Sequence, residues 1–205
     1  MFITFEGSEC CGKSTQLQKC AEYLQSVNKK YIIVQEPGTT ALGKDIRNIV
    51  KHATYDIANN AQLLLFLAAR VELVNTVILP ALKEGTIVLS DRYNTSTWVY
   101  QNYNKEEVID LDSILPLLQL VEPDIQFIIN IDIDTFKSRF ANRKSDVYDK
   151  FDNASIAYHK KIISGYKHEW CKQYAYTTIN IDGNDTVENI HNTIIESIDN
   201  YATQS

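Results

Sequence analysis

The sequence predicts a single α/β domain with a parallel β-sheet flanked by helices, and three observations lead to this fold class. Short apolar runs alternate with longer amphipathic segments along the 205 residues. Most of the short runs are apolar on successive residues, as expected for parallel strands that helices cover on both faces. No repeat, low-complexity linker or change in composition marks a domain boundary, so we expect one domain over 1–205.

The elements follow one another as strand and helix. Five strands are predicted: FITFE (2–6), YIIVQ (31–35), TIVLSD (86–91), IQFIINI (125–131) and YTTINI (176–181). Seven helices are predicted: 14–28, 41–52, 59–84, 108–121, 133–145, 151–173 and 184–201. Pro80 and Pro116 fall inside two of these helices, so we expect a kink or restart in the first and a break or late start in the second. This alternation predicts an open sheet with right-handed crossovers, which binds ligands at the carboxyl ends of its strands.

Composition limits the classes of function. Hydrophobic residues make up 44% and charged residues 22% of the chain, which is ordinary for a soluble globular protein. The formal net charge of −6 repels polymeric DNA and RNA, so a role in nucleic-acid chemistry is more plausible on monomers. The four cysteines form no C-x-x-C pair and no zinc-site spacing, which favours a reduced, cytoplasmic protein.

Neither the first residues nor the most apolar stretch of the chain has the features of a segment that enters a membrane. The first residues, MFITFEG, lead into a strand with none of the basic character of a signal peptide. The most apolar stretch, residues 61–82, is interrupted by Arg70, Glu72 and Asn75. We therefore expect a soluble protein that does not bind a membrane.

The first strand leads into a phosphate-binding loop. GSECCGKS, Gly7–Ser14, fits G-x-x-x-x-G-K-[ST] at every fixed position and lies between a predicted strand and a predicted helix. Such a loop directs backbone N–H groups and a helix N-terminus at phosphate oxygens. Lys13 is expected to reach the β- and γ-phosphates, and Ser14 to bind Mg²⁺. The residues assigned to ATP are Gly7, Ser8, Glu9, Cys10, Cys11, Gly12, Lys13, Ser14, Thr15 and, farther along, Arg139.

The adjacent thiols Cys10 and Cys11 occupy free positions of this loop, where the backbone matters more than the side chain. No resolving cysteine is near them in the sequence, so a redox function is not favoured. A helix N-terminus can lower the pKa of a thiol, and we expect some sensitivity to thiol reagents as a side effect.

Two further strand ends carry charged residues. Asp91 ends the third strand, where a carboxylate can hold Mg²⁺ directly or through water, and Arg92 after it suits a bidentate phosphate contact. The alternative is that this pair only caps the strand and pairs with neighbouring residues. Glu36 follows the second strand and could bind a sugar, metal-bound water or a phosphate-orienting arginine. Taken alone, Glu36 is a weak signal.

Phe66 and Arg70 lie four residues apart on one face of the predicted helix 59–84. An aromatic ring beside a guanidinium can stack on a nucleobase and hydrogen-bond to its edge. The residues alone favour the ordinary alternative of a core phenylalanine and a surface arginine.

Together these segments resemble thymidylate kinase, particularly its bacterial type. The resemblance rests on FEGSECCGKST, QEPGTT, LLLFLAARVELVNTVILPALKEGTIVLSDRY and STWVYQN, in order from residue 1 to about 103, with support from EPDIQFIINIDIDTFKSRF and INIDG. It implies a P-loop kinase fold with a mobile lid at about 139–152. It also implies transfer of the γ-phosphoryl group of ATP to dTMP for dTTP synthesis, with Mg²⁺, in a homodimer formed through the 59–84 helix.

The resemblance also implies residue roles. Phe66 would stack on thymine, Arg70 and Thr97 would face the base, and Arg92 would hold the acceptor phosphate with Arg47. The full set assigned to dTMP is Glu9, Glu36, Arg47, Phe66, Arg70, Arg92, Thr97, Tyr100 and Gln101. The catalytic set is Lys13, Asp91, Arg92 and Arg143, and the metal set is Ser14 and Asp91.

Three departures from the family pattern leave alternatives open. Gln35 replaces an arginine in the segment QEPGTT, the two cysteines replace small residues, and Val147 stands where a lid arginine is expected. Arg139, Arg143 and Lys144 remain as lid cations, of which we favour Arg143; solvated helix-face arginines are an equal alternative. A deoxynucleoside kinase using Glu36 as a base, or a catalytically weak nucleotide-binding relative, are the competing functions.

Overall fold

The computed structural model describes residues 1–103, 110–143 and 154–204. Its five strands form one parallel sheet in the order β2-β3-β1-β4-β5. The strands are β1 (Phe2–Glu6), β2 (Tyr31–Gln35), β3 (Ile87–Asp91), β4 (Ile125–Asn130) and β5 (Thr177–Asp182). Every predicted strand is present to within one residue at each end, which confirms the predicted α/β class.

Helices cover both faces of the sheet. They are α1 (Lys13–Ser26), α2 (Ala41–His52), α3 (Asn59–Leu73), α4 (Leu79–Lys83), α5 (Asn94–Thr97), α6 (Leu111–Ile114), α7 (Ile133–Ala141), α8 (Ile156–Tyr166) and α9 (Val187–Gln204). Two π-helical segments, Val74–Ile78 and Trp98–Tyr103, and two 3-10 segments, Leu115–Leu118 and Glu169–Tyr174, follow α3, α5, α6 and α8.

The alternation of side chains along β1 shows how the three layers form. Ile3 and Phe5 are fully buried in the cluster shared with α1 and α9. Phe2 points to the other face and packs with Leu73 and Ile78 from the α3–α4 region. Because successive residues of a strand face opposite sides, Glu6 also faces the second layer.

Three predicted helices are each divided into segments of different helix type. The helix predicted at 59–84 restarts as α4 after the wide π-helical turn Val74–Ile78, and Pro80 lies in the first turn of α4, in agreement with the expected kink or restart. Pro116 ends α6 early in a 3-10 turn, as expected for a residue without an N–H, although 108 and 109 lie outside the described residues. The predicted helix 151–173 contains α8, which ends at Tyr166, and a separate 3-10 segment.

The continuous helix Asn59–Lys83 is, among the described residues, the one long and apolar enough to cross a membrane by length and composition. Core helices of soluble proteins pass the same test. Here Leu63, Leu67 and Leu73 are buried against the sheet and its neighbouring helices, and Arg70 is buried in an ion pair. This packing supports the prediction that the segment is a core helix.

Candidate active site

A cleft of about 660 Å³ opens at the carboxyl edge of the sheet, a size suited to nucleotide-like ligands. The predicted site residues that line it are Glu9, Cys10, Cys11, Gly12, Lys13, Ser14, Thr15, Glu36, Arg47, Phe66, Arg70, Asp91, Arg92, Thr97, Tyr100, Gln101, Arg139 and Arg143. Only Gly7 and Ser8 of the predicted set lie behind this lining. The register explains the convergence, because Gln35 and Phe5 both lie opposite Asp91 at the strand ends.

The phosphate loop curls around the ammonium group of Lys13. Its Nζ donates hydrogen bonds to the carbonyl oxygens of Gly7, at 2.9 Å, and Ser8, at 2.7 Å. Gly7 and Gly12 have φ values of 143° and 102°, which side-chain-bearing residues rarely adopt. A Cβ on Gly7 would lie 2.5 Å from the carbonyl oxygen of Ile129 on β4, so only glycine fits at this position of the loop.

The two loop cysteines differ in their surroundings. Cys11 is buried in the core cluster of β1 and α1, whereas Cys10 is half-buried with φ 59°. The side chain of Cys11 therefore packs, and the position is less free than the sequence motif indicates. All four cysteines are free thiols, and the described part of the chain holds no cluster of three metal-ligating side chains.

Arg139 ties the phosphate loop to the end of β5. Its Nη1 donates to the carbonyl oxygens of Cys10 and Cys11, both at 3.2 Å, and its Nη2 donates to that of Gly183 at 2.7 Å. The alternative of a solvated helix-face arginine is therefore wrong for Arg139. The guanidinium braces the back of the loop from α7.

Arg92 lies at the centre of the cleft with φ 76°. Its Nη2 contacts Glu9 Oε1 at 3.0 Å, and its Nη1 donates to the carbonyl oxygen of Gly7 at 3.0 Å and to the hydroxyl groups of Ser96 and Tyr166 at 3.1 and 2.8 Å. Burial opposes charge here, yet the surrounding oxygens raise the pKa of Arg92 well above its usual value. The residue is a fixed cation whose contacts extend to the phosphate loop, α5 and α8.

Glu9 is the acidic partner of this cation. Tyr100 donates its hydroxyl hydrogen bond to the Glu9 carboxylate, with oxygen distances of 2.6 and 2.8 Å, and its ring lies 5.0 Å from the Arg92 guanidinium. Burial alone raises the pKa of Glu9, but Arg92, Lys13 and the Tyr100 hydrogen bond outweigh it and lower the pKa below 4.5. The sequence-predicted neighbours Glu9, Arg92 and Tyr100 thus form one hydrogen-bonded group.

Arg70 and Glu36 form a buried ion pair on the other side of the cleft. Arg70 also donates to Asn94 Oδ1 at 2.8 Å and to Thr97 Oγ1 at 2.8 Å, and its guanidinium stands over the Tyr93 ring. Burial raises the pKa of Glu36 although Arg70 acts in the opposite direction. The ordinary alternative of a surface arginine is wrong, because only 2% of Arg70 is exposed.

Phe66 and Arg47 form the remaining wall near this pair. Phe66 is half-buried beside Ile46 and Val50, one face of α2. Arg47 donates from Nη1 to the carbonyl oxygen of Pro37 at 3.0 Å, and Gln101 is buried in the π-helical segment after α5. Phe66, Arg70 and Thr97, which the sequence analysis expects to contact a base, all line the cleft.

Both residues predicted for Mg²⁺, Ser14 and Asp91, line the cleft. Ser14 is exposed at the start of α1, and Asp91 Oδ1 is buried without a hydrogen-bond partner at the end of β3. Oxygen ligands of this kind suit Mg²⁺, which keeps several waters and takes only one or two protein ligands beside phosphate oxygens. The donor set therefore fits a nucleotide-bound magnesium ion.

The segment predicted as a lid, about 139–152, is described only as far as residue 143. Arg139 and Arg143 line the cleft from α7 and the residues after it, whereas Lys144 and Val147 lie outside the described residues. Sequence reasoning assigned no role to several buried or lining residues: Glu6, Gln16, Lys51, Ser96, Tyr166, Asp185, Val187 and Ile190. Two of them lay in segments that carry the family resemblance, Glu6 in FEGSECCGKST and Ser96 in STWVYQN, and these segments were the available signals.

Comparison of the sequence with known proteins gives matches that cover almost the whole chain. A family model described as thymidylate kinase matches residues 5–194. The chain belongs to the thymidylate kinase family. The thymidylate kinase of Kosmotoga olearia is 35% identical over 198 residues, covering 96% of this chain and 94% of that protein. The thymidylate kinase of Fervidobacterium nodosum is 36% identical over 203 residues, covering 98% and 100%.

Membership of the thymidylate kinase family confirms the recognition made from the sequence motifs and the P-loop kinase fold they imply. The match extends beyond the phosphate loop, which alone is shared by many nucleotide-binding proteins. It includes the Phe66–Arg70 pair, Asp91–Arg92 and Tyr100–Gln101, which the cleft brings together.

Proposed function

We propose that this protein transfers the γ-phosphoryl group of ATP to the 5′-phosphate of dTMP, giving dTDP and ADP for dTTP synthesis. The observation that carries the proposal is one cleft lined by the phosphate loop, by Phe66 and Arg70, and by Arg92. Arg92 contacts Gly7 and Glu9 of the loop, and the residue after it, Tyr93, accepts a hydrogen bond from Arg70. Membership of the thymidylate kinase family supports the same reaction.

The reaction needs alignment and charge neutralisation more than proton transfer. A phosphate oxygen of dTMP attacks the γ-phosphorus while the bond to the bridging β-phosphate oxygen breaks, and ADP leaves with that electron pair. The second pKa of a phosphate monoester is about 6, so the acceptor is mostly ionised at neutral pH without a general base. The protein then has to hold two anions in line and offset their repulsion.

At the donor end, the phosphate loop supplies backbone N–H groups and Lys13 to the ATP phosphates. The ammonium group is already held at the loop by two carbonyl oxygens, so it needs little movement to meet a phosphate. Arg139 braces the loop from behind through Cys10 and Cys11. Arg143, which lines the same cleft, is our candidate for the lid cation at the transferred group.

At the acceptor end, Arg92 binds the dTMP phosphate with Arg47, while Phe66 stacks on the base. Arg70 and Thr97 face the edge of the base, and Tyr100 and Gln101 close the pocket. Glu36 contributes by holding the guanidinium of Arg70, as the ion pair between them supports. Glu9 lies near the sugar and holds Tyr100 and Arg92.

Ser14 and Asp91 are the residues that would hold Mg²⁺ at the ATP phosphates. A bound magnesium ion supplies positive charge to the phosphate oxygens. The unpartnered Asp91 oxygen and the exposed Ser14 hydroxyl support this assignment. We further propose a cytoplasmic homodimer that associates through the exposed face of helix Asn59–Lys83, on which Leu64 is 61% exposed.

One assay of ADP formation tests the function against its alternatives. We expect ADP to form with dTMP in the presence of Mg²⁺, and only at background rate with thymidine or after chelation of the metal. A deoxynucleoside kinase would instead phosphorylate thymidine, but Glu36 is buried against Arg70 and poorly placed to act as its base. Binding of both nucleotides without ADP formation would contradict the proposal in favour of a catalytically weak relative.

A further inference from the structure

Glu6 ends β1 directly behind the cleft, on the face of the sheet that is covered by α3, α5 and α8. Its side chain has no exposed surface, and burial raises the pKa of its carboxyl group. A buried ionisable group is costly unless it is hydrogen-bonded, so its partners reveal what it stabilises.

Both carboxylate oxygens of Glu6 contact the segment that carries Arg92. Oε1 accepts the backbone N–H of Tyr93 at 2.7 Å, and Oε2 accepts the hydroxyl of Ser96 at 2.5 Å. Tyr93 directly follows Arg92 in the chain, and Ser96 lies on α5 one turn later. The carboxylate therefore joins β1 to the backbone on one side of Arg92.

The backbone of Arg92 needs such support because its φ of 76° is rare for a residue with a side chain. The N–H of Arg92 donates to the carbonyl oxygen of Phe5 at 3.0 Å, and the Ser90 hydroxyl donates to the carbonyl oxygen of Arg92 at 2.8 Å. With the Glu6–Tyr93 bond, the end of β1 holds the peptide groups on both sides of Arg92.

The guanidinium of Arg92 is held by the same group of residues. Its Nη1 donates to the hydroxyl oxygens of Ser96 and Tyr166, which lie 2.8 Å from each other. Tyr166 comes from α8 and is 1% exposed. Ser96 therefore hydrogen-bonds to Glu6, Tyr166 and Arg92 at once. Through these bonds the position of the Glu6 carboxylate influences the position of the Arg92 guanidinium.

Glu9 holds the opposite edge of the guanidinium through Nη2, from the open side of the cleft. Nη1 also donates to the carbonyl oxygen of Gly7 at 3.0 Å, so without the two hydroxyl groups it would keep one of its three acceptors and the plane of the guanidinium would be held less firmly. Bidentate binding of a phosphate depends on the orientation of that plane, so a guanidinium oriented in advance loses less freedom when the phosphate binds.

We propose that Glu6, acting through Ser96 and Tyr166, is a positioning residue that sets the backbone and guanidinium of Arg92 for the acceptor phosphate. The proposal rests on the proposed function, because it takes the phosphate of dTMP as the group that Arg92 binds. Glu6 is fully buried and is not part of the cleft lining, so it acts through the segment after β3 that it holds.

Kinetics of paired variants test the proposal. Glu6→Ala is expected to lower kcat/KM for dTMP about 10- to 100-fold, in the range expected for hydrogen bonds to a charged group, with KM for ATP within about twofold. Glu6→Gln, which still accepts the Tyr93 N–H, is expected to recover most of the loss. If Glu6→Ala does not fold, Ser96→Ala and Tyr166→Phe cut the same link and are each expected to cost about 3- to 10-fold.

Thr4→Val is the matched control. Thr4 is equally buried, lies two residues before Glu6 on the same face of β1, and has a hydroxyl group without a hydrogen-bond partner. We expect Thr4→Val to keep kcat/KM for dTMP within twofold of the original protein. Equal losses in Thr4→Val and Glu6→Ala would overturn the proposal, since they would reflect a general effect on the strand.

An NMR readout separates failure of the proposal from failure of the proposed function. In the ligand-free protein labelled with ¹⁵N, we expect separate Nη resonances of a rotationally restricted Arg92, and their averaging in Ser96→Ala and Tyr166→Phe. Unchanged resonances in both variants would overturn the positioning role, even if dTMP is the substrate. Conversely, absence of dTMP phosphorylation by the unmodified protein would end the proposed function while the resonances still decide the role of Glu6 in fixing Arg92.

Discussion

Lys13 places its ammonium group inside the phosphate loop, where it meets two carbonyl oxygens. We expect Lys13→Ala to lower kcat by about 10²–10³-fold, the range seen when one preorganised donor to a developing anion is removed. Coupled ADP assays and thermal unfolding check this. Lys19→Ala, on the same helix but paired with Glu188 at the surface, is the control and should keep activity. Near-normal turnover of Lys13→Ala would remove the loop from the donor site.

Arg70 combines a role in binding with a role in stability, because Glu36 depends on it. We expect Arg70→Ala to weaken dTMP binding about 10- to 100-fold while ATP binding changes little, as expected for lost charged hydrogen bonds. The variant also leaves the buried Glu36 carboxylate without its charged partner, which should lower the free energy of unfolding by about 3–5 kcal/mol. Calorimetric titration and chemical denaturation measure the two effects.

A double variant separates these effects. Arg70→Met with Glu36→Gln removes both charges, so it should regain stability while dTMP binding stays weak. Equal loss of ATP and dTMP affinity in Arg70→Ala would take the residue out of the acceptor pocket.

The carboxyl group of Glu9 makes the stability of the folded protein depend on pH. Its pKa is lowered in the folded protein, because Arg92, Lys13 and Tyr100 together outweigh the effect of burial. A carboxyl group with a lowered folded pKa stabilises the fold above its unfolded pKa of about 4.5, and this contribution disappears as pH falls through the folded value. We expect the stability difference between the original protein and Glu9→Gln to be constant from pH 7 to 5 and to shrink below pH 4.5. Denaturation at several pH values measures it, and a difference that grows in acid would contradict the assignment.

At the level of elements, the π-helical segment Trp98–Tyr103 depends on a glycine of α8. A Cβ on Gly165 would lie 2.9 Å from both Tyr103 and Val99, so this helix and the segment approach closely. We expect Gly165→Ala to cost about 1–3 kcal/mol through overpacking and to raise KM for dTMP by shifting Tyr100. Lys161→Ala, exposed on the same helix, is the control. Unchanged stability and KM would show that the segment yields without affecting the pocket.

The elements also show which features a sequence can predict. The ends of the strands are predicted to within one residue, because short apolar runs mark each strand clearly. Parallel strands place their carboxyl ends at one edge of the sheet, so the sequence also predicts that the phosphate loop, Glu36 and Asp91 lie near one another. The segment Asn94–Tyr103 was not predicted as a helix, because its polar and aromatic residues lack the apolar period of 3.6. Burial of Arg70 and the network of Glu6 depend on contacts between residues far apart in sequence, which no local pattern encodes.

At the level of the whole molecule, helix Asn59–Lys83 exposes apolar side chains beyond its buried face. Leu64 is 61% exposed on it, which supports the proposed homodimer interface. We expect Leu64→Arg to convert a dimer to a monomer in light scattering, because a charge would be desolvated at the interface. Leu117→Arg, at a position 79% exposed on another element, should leave the mass unchanged. A monomeric original protein, or a dimer that persists in Leu64→Arg, would contradict this interface.

The central claim is that two anionic nucleotides meet end to end in one cleft, with their phosphates between Lys13 and Arg92. A crystal structure with dTMP and a non-hydrolysable ATP analogue tests it most directly. We predict the thymine ring against Phe66 and Arg70, and the analogue's triphosphate in the loop Gly7–Ser14. A pyrimidine bound away from Phe66 and Arg70, or a triphosphate outside that loop, would contradict the account.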